Sequence, residues 1–263
     1  MTKGSGDDKN IMIQKFSILG VPISAVNLDL AAEAIDQWIQ NREKRYVCIA
    51  PVSTVMTCQD DPAYRAVIEN ADMVTPDGMP VVWLGRRQGF EQVSRTYGPD
   101  LMPLICKRGQ DKGYRHYFYG GSEETLRRLE TRFQTRYPRI QFAGLHAPPF
   151  RELTPDELQA DLDRINESHA DILWVGLGSP KQDFWIAQNR DKLNTPVLIA
   201  VGAAFDFHAG TKAQAPRWMQ RIGLEWLFRF CHEPSRLWKR YLIGNPRFVF
   251  LLAWESLKKR LAK

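Results

Sequence analysis

The chain has little cysteine, and what it has is scattered. Cys48, Cys58, Cys106 and Cys231 form no CxxC pair, so neither a zinc finger nor a disulfide framework is indicated. The five histidines form no cluster with metal-ligand spacing, and no metal site or other cofactor is expected. No apolar run approaches the roughly 20 residues that cross a bilayer, and the N-terminus lacks a signal peptide's apolar stretch. A cytoplasmic chain is the expectation. Neither a P-loop nor a GxGxxG fingerprint stands at Gly120-Gly121-Ser122, which argues against ATPase and dehydrogenase readings.

The 263 residues, 44% hydrophobic and 25% charged, suit one large α/β domain or two small ones. Charge is unevenly spread. The chain carries +6 overall, yet from Lys212 onward twelve Lys/Arg face three Asp/Glu, which leaves the preceding residues net negative. Such a basic end suggests an anionic partner: a membrane surface, a nucleic acid or a phosphorylated substrate.

Strand and helix signals alternate about six times at spacings of roughly 25–30 residues, the pattern of a doubly wound, mostly parallel, Rossmann-like α/β sheet. Residues 1–12 read as a disordered polar leader, 13–212 as the Rossmann-like domain and 213–263 as a basic, aromatic-rich helical appendage. Phe16 to Val26 suggests a hairpin, and Asn27 to Arg42 the first helix. Ser53 to Asn70 has one helical periodicity, and the helix after Gly178 is expected from Phe184. The organising stretch is Met73-Val74-Thr75-Pro76-Asp77-Gly78-Met79-Pro80. It puts Asp77 at the carboxyl end of a strand, where ligands of open α/β sheets bind. A carboxylate there can take a proton from an attacking hydroxyl; it can equally well only cap the next helix.

Other strand exits carry glycine and polar groups. Gly120, Gly121 and Ser122 can turn backbone N–H groups toward a phosphate, although Gly-Gly-Ser is also simply a turn and an N-cap. Gly178 allows close backbone approach, and Lys181 and Gln182 bring a cation and an amide to a helix start. Arg95, in a nearby polar turn, has the planar fork that grips phosphate. Asp206 ends the last strand signal, and His208 beside it reads as structural.

Val74-Thr75-Pro76-Asp77-Gly78-Met79-Pro80, Arg95-x-x-Gly98-x-Asp100-Leu101, Gly178-Ser179-Pro180-Lys181-Gln182-Asp183 and Val201-Gly202-Ala203-Ala204-Phe205-Asp206 together resemble the WecG/TagA/CpsF glycosyltransferases. Glu225-Trp226-Leu227-Phe228-Arg229 and Glu233-Pro234-x-Arg236 complete the pattern. The resemblance spans about residues 20 to 245. It implies an inverting, metal-independent transferase that moves a hexose from a UDP-sugar onto a sugar on undecaprenyl diphosphate, in teichoic acid, common-antigen or exopolysaccharide synthesis. It implies Asp77 as general base, Arg95 and Gln182 as contacts to the donor diphosphate and substrate, and Asp206 on the nucleoside side. Ile49-Ala50-Pro51 stands where many members carry Thr-x-Asn. The donor sugar is therefore open between N-acetylmannosamine, glucose and a related hexose.

Arg229, Arg236 and Arg240 are the expected acceptor contacts, in an appendage that interleaves Trp and Arg as an interfacial helix does. The expected partners are the donor, the polyprenyl-diphosphate acceptor and the inner face of the cytoplasmic membrane, with no nucleic acid and with a homo-oligomer left open. Two other classes remain at this point: a non-catalytic UDP-sugar-binding protein, and a nucleic-acid-binding protein acting through the basic end.

Overall fold

The computed structural model describes residues 12–261; the leader expected over residues 1–12 therefore lies, apart from Met12, outside the described residues. The chain opens on an antiparallel hairpin, β1 (Lys15–Ile18) and β2 (Val21–Ser24). Then come α1 (Leu28–Gln40), β3 (Arg45–Ala50), α2 (Val52–Asp60), α3 (Pro62–Glu69), β4 (Met73–Pro76), α4 (Met79–Arg87) and α5 (Gly98–Lys112). The second half runs β5 (Arg115–Gly120), α6 (Glu123–Arg136), β6 (Gln141–His146), α7 (Pro155–Glu167), β7 (Ile172–Gly176), α8 (Lys181–Asn189), β8 (Val197–Ala200) and α9 (Ala204–Ala209). A C-terminal segment follows: α10 (Arg217–Arg221), α11 (Glu225–His232), α12 (Pro234–Trp238), a π-helical turn (Lys239–Ile243) and α13 (Gly244–Leu261).

The six strands β3 to β8 form one parallel sheet in the order β4-β3-β8-β7-β5-β6. Because every pair is parallel, all six carboxyl ends lie along one edge, the edge on which such sheets bind ligands. Both faces are covered, so the central strands are continuously apolar rather than alternating. The hairpin, α2, α3, α4, α7 and α8 pack on one face around Tyr64, Val82 and Trp185. On the other, α1, α5, α6 and α9 pack around Trp38, Leu101, Phe133 and Phe205.

Local chemistry accounts for several helix starts. Asn27 caps α1 by accepting from the Leu30 N–H, and Thr154 with Glu157 forms a reciprocal capping box at α7. The single helix expected over 53–70 is instead two. Pro62 has no N–H to continue the first, and Asp61, in extended conformation, caps the second. The helix expected from Phe184 starts three residues earlier, which places Lys181 and Gln182 in its first turn. The C-terminal segment is tied into the body: Phe248, 4% exposed, belongs to the same core as Tyr64 and Val82.

Candidate functional site

β4 ends at Pro76, and the Asp77 N–H bonds the Ala50 carbonyl at 3.2 Å, so the exits of β4 and β3 leave the sheet together. Gly78, at φ +84°, turns the chain into α4 and is itself the N-cap, with no side-chain cap bond. Asp77 is therefore not spent on capping. Its carboxylate lines a cleft of about 520 Å³ with Ser53, Met79, Trp83 and Arg95 from the body and Gln220, Glu225, Trp226, Arg229, Arg240 and Tyr241 from the C-terminal segment. The cleft is a joint product of strand exits and appendage.

Arg95 sits at its floor, with its guanidinium 3.5 Å from the Tyr97 ring centroid. Its fork is engaged by protein groups. Nε donates to Asp77 Oδ1 at 3.3 Å, Nη1 to Gln220 Oε1 at 3.0 Å, and Nη2 to Glu225 Oε2. Asp77 Oδ2 has no protein hydrogen bond among the described residues. Burial, and then the Asp77 charge, pushes the Glu225 carboxyl above its ordinary value, against the opposing effect of Arg95.

Two of the three expected acceptor arginines reach this cleft. Arg229 and Arg240 line it, with Arg229 also lying 5.8 Å from the Phe207 ring centroid. Among the described residues the buried Arg240 Nε has no hydrogen-bond partner. Burial lowers the Arg240 pKa, helped by the charges of Arg229 and Arg236 and opposed by Tyr241 and Asp77. A buried guanidinium with an open donor and no ion pair of its own among the described residues fits an anion from outside. Arg236 is exposed and paired with Glu233, away from the cleft wall.

Of the expected donor groups only Arg95 lines this cleft; the others belong to the neighbouring exits. A Cβ on Gly120 would stand 2.6 Å from the Gly176 carbonyl carbon, and one on Gly176 2.6 Å from the Phe205 ring, so β5, β7 and α9 approach closely there. Gly178, at φ +82°, has nothing within 4 Å of such a Cβ and is open to a ligand. Gln182 is buried, and its Oε1 accepts from the N–H groups of Gly178 at 3.1 Å and Gly202 at 2.9 Å. It staples the exits of β7 and β8 and leaves its NH₂ as the donor side. Gly121 follows at φ +71°. Ser122 caps α6, accepting from the Thr125 N–H at 3.1 Å and donating to Thr125 Oγ1 at 3.0 Å. Lys181 is exposed at the start of α8. Asp206 pairs with Lys212 at 3.2 Å, and Lys212 also reaches Glu233 at 3.4 Å.

His208 packs against Phe133, and its Nε2 lies 2.9 Å from the Pro99 carbonyl; burial lowers its pKa to about 4. Asp161-Leu162-Asp163, an Asp-x-Asp, lies inside α7, with Asp161 2.9 Å from Nε2 of His146, the last residue of β6. Asp161 there accepts from the Tyr119 hydroxyl at 2.8 Å, and Asp163 from Gln159 at 2.8 Å. Among the described residues no group of three or more His, Cys, Asp or Glu is arranged to hold a metal ion.

Sequence reasoning did not single out Gln220 or Glu225 as site residues. Both lie outside the strand exits, in short helices whose placement depends on the body. The available signal was an acid beside Trp226 at the start of an apolar helix, in an otherwise basic segment.

The glycosyl transferase WecG/TagA/CpsF family matches residues 16–262 of the chain. A curated relative is the N-acetylglucosaminyldiphosphoundecaprenol N-acetyl-beta-D-mannosaminyltransferase of Bacillus spizizenii, 27% identical over 212 residues that cover 81% of this chain and 80% of that protein.

Proposed function

Since the chain belongs to the WecG/TagA/CpsF family of glycosyl transferases, we propose that it moves a hexose from a UDP-sugar, with inversion, onto a sugar carried by undecaprenyl diphosphate. The relative's name specifies N-acetylmannosamine and an N-acetylglucosaminyl-diphosphoundecaprenol acceptor. The donor here is N-acetylmannosamine, glucose or a related hexose, since Ile49 and Pro51 bring no polar side chain to the β3 exit. The product belongs to cell-surface polysaccharide synthesis.

In this reading an acceptor hydroxyl attacks the anomeric carbon, Asp77 takes its proton, and the bond to the diphosphate breaks with its electrons leaving on UDP. A well-placed base is worth about 10²–10⁴-fold. The glycine turns at Gly120, Gly121 and Gly178, the Gln182 NH₂ and Lys181 receive the donor's diphosphate, with Asp206 on the nucleoside side; the N–H groups of Gly121 and Gly178 are already given to the Gly176 carbonyl and to Gln182, so Gln182 and Lys181 are left to stabilise the departing charge. Arg95 can join them only by exchanging one of its present partners. Arg229 and Arg240 receive the acceptor's diphosphate; Arg236, paired with Glu233 outside the cleft, reaches it only by leaving that partner.

The C-terminal segment docks on the inner face of the cytoplasmic membrane, its exposed Trp238, Leu242 and Phe250 at headgroup depth and its cations toward anionic lipid. No described helix is long and apolar enough to cross a membrane. The observation that carries the proposal is the cleft that joins Asp77 to Arg240, whose Nε has no hydrogen-bond partner among the described residues. A panel of UDP-sugars offered with polyprenyl-diphosphate-linked N-acetylglucosamine, read by mass spectrometry, tests it. One donor should give a product one hexose heavier, with turnover persisting in EDTA. No transfer from any donor, with salt-sensitive binding to DNA, would replace this reading with the nucleic-acid one.

A further inference from the structure

Glu225 is a second carboxylate in the cleft, and the chemistry above gives it no task. It opens α11 in the C-terminal segment and shares Arg95 with Asp77. The groups facing it are Arg95 and Asp77 from the body and Arg229 from its own helix. Gln220, from α10, holds Arg95 as well; its Oε1 also accepts from the Tyr97 hydroxyl at 3.0 Å, and its Nε2 donates to the Ala215 carbonyl at 2.7 Å. The Tyr97 hydroxyl in turn accepts from Gln214. Apart from Asp77, every hydrogen-bond partner of Arg95 comes from the C-terminal segment.

The geometry of the fork gives this sharing a consequence. A free arginine beside a carboxylate turns both nitrogens onto both oxygens, as a bidentate pair. A carboxylate gripped that way is a poor base, because the cation favours its charged form. Here Glu225 and Gln220 take both terminal nitrogens, and Tyr97 fixes the plane. Asp77 receives only the Nε–H, at 3.3 Å and on one oxygen.

We propose that Glu225, seconded by Gln220, is a positioning residue for transfer: through Arg95 it holds Asp77 by one oxygen and keeps the other free, so the base is set only while the C-terminal segment is seated. The inference rests on Asp77 being the base. It makes proton abstraction conditional on the same segment that meets the lipid-linked acceptor, and thereby guards the donor against hydrolysis when no acceptor is present.

The test uses the full chain with the best donor of the UDP-sugar panel and polyprenyl-diphosphate-linked N-acetylglucosamine. Glu225→Gln should lower kcat about tenfold or more, with donor KM and melting temperature little changed, because the lost interaction is felt in the transition state. The acid limb of its pH–rate profile should move to lower pH, since Arg95 and Arg240 then face Asp77 with no second carboxylate charge beside it. Glu225→Asp should recover part of both, and Glu225→Gln should add no further loss in an Asp77→Asn background. An unchanged kcat, or a lost kcat with an unmoved limb and a matching drop in melting temperature, overturns the proposal. An active Asp77→Asn would sink the base assignment itself, whereas an inactive Asp77→Asn with an indifferent Glu225→Gln sinks this inference alone.

Discussion

The body and the C-terminal segment are built on opposite terms. In the body, α1, α3, α6 and α7 start at the side-chain caps Asn27, Asp61, Ser122 and Thr154, while α2, α4, α5, α8 and α9 have none. In the segment, α10, α11 and α12, of 5, 8 and 5 residues, have no side-chain cap at all. Helices that short are not stable by themselves in water. Large exposed hydrophobics divide the same way: before residue 213 there are Met12, Trp83 and Phe150, and after it a continuous series from Trp218 to Leu261. Leu237, Tyr241 and Phe248 are buried against the rest, while Trp238, Leu242 and Phe250 face outward. Local sequence shapes the body; the segment takes its shape from what it touches. An outward apolar series rimmed by cations marks a surface that meets something.

The largest break in this comparison is removal of residues 213–263. It takes away Arg229, Arg240 and Glu225 and opens the cleft, so transfer to lipid-linked acceptor should cease. The truncated chain should also leave anionic vesicles and melt lower, having lost Phe248 from the core. Sedimentation with vesicles as complete as for the full chain would show that the body, not the segment, meets the membrane. Asp77→Asn comes next. It leaves both regions intact and should cost turnover about 10²-fold or more while UDP binding persists; a loss under about tenfold, by steady-state kinetics, sinks the base.

A buried carboxyl in the body, far from the segment's cations in sequence, gives a third contrast. Asp183 accepts from the Tyr64 hydroxyl at 2.9 Å, and burial pushes its carboxyl up to about 6 from 3.8, against the opposing hydrogen bonds of Ser179, Tyr64 and Cys48. The folded state thus holds a proton that the unfolded state has released, so this group's contribution makes stability fall as pH rises from about 4 to 6 and stay lower above. Asp183→Asn keeps an acceptor for Tyr64 and removes the penalty, which has a ceiling of about 3 kcal/mol. Denaturant melts should find the variant more stable at pH 7.5 and equal to wild type near pH 4.

The parallel sheet and its order of elements were legible because buried strands such as Ile172–Gly176 are continuous apolar runs and some helices, as α7 at Thr154, begin with a recognisable cap. Asp77 was legible for the same reason: a strand, a proline, an acid and a glycine leave few places for the carboxylate to go. The break at Asp61-Pro62 was hidden by a hydrophobic period that continues across it. The sharing of Arg95 by Asp77, Gln220 and Glu225 was not legible, because it joins positions 130 residues apart through helices with no local start signal. Arg95 alone reads as a phosphate grip; only the fold shows its nitrogens already taken.

A smaller effect should come from the outward apolar face. Trp238→Ser and Phe250→Ser remove side chains that touch no part of the cleft. A large apolar side chain fully buried is worth about 1.5–3 kcal/mol, and partial insertion at headgroup depth should give about a tenfold weaker vesicle affinity for each. Turnover on a soluble, short-chain acceptor should not change. Vesicle titration checks the first expectation, and a fall in soluble turnover would show that these residues belong to the site.

Ser122→Ala separates a helix cap from a donor contact and should have the smallest effect of all. Its hydroxyl is already committed to the start of α6, accepting from the Thr125 N–H and donating to Thr125 Oγ1. Loss of a serine cap typically costs about 1 kcal/mol, so the melting temperature should fall by a few degrees. The N–H groups of Gly120 and Gly121 remain where they were, and kcat and donor KM should stay within about twofold, below the effect of a lost charge-assisted hydrogen bond. If instead donor KM rose tenfold with no change in melting temperature, the hydroxyl would be reaching the donor, and the β5 exit would bind through side chains as well as backbone.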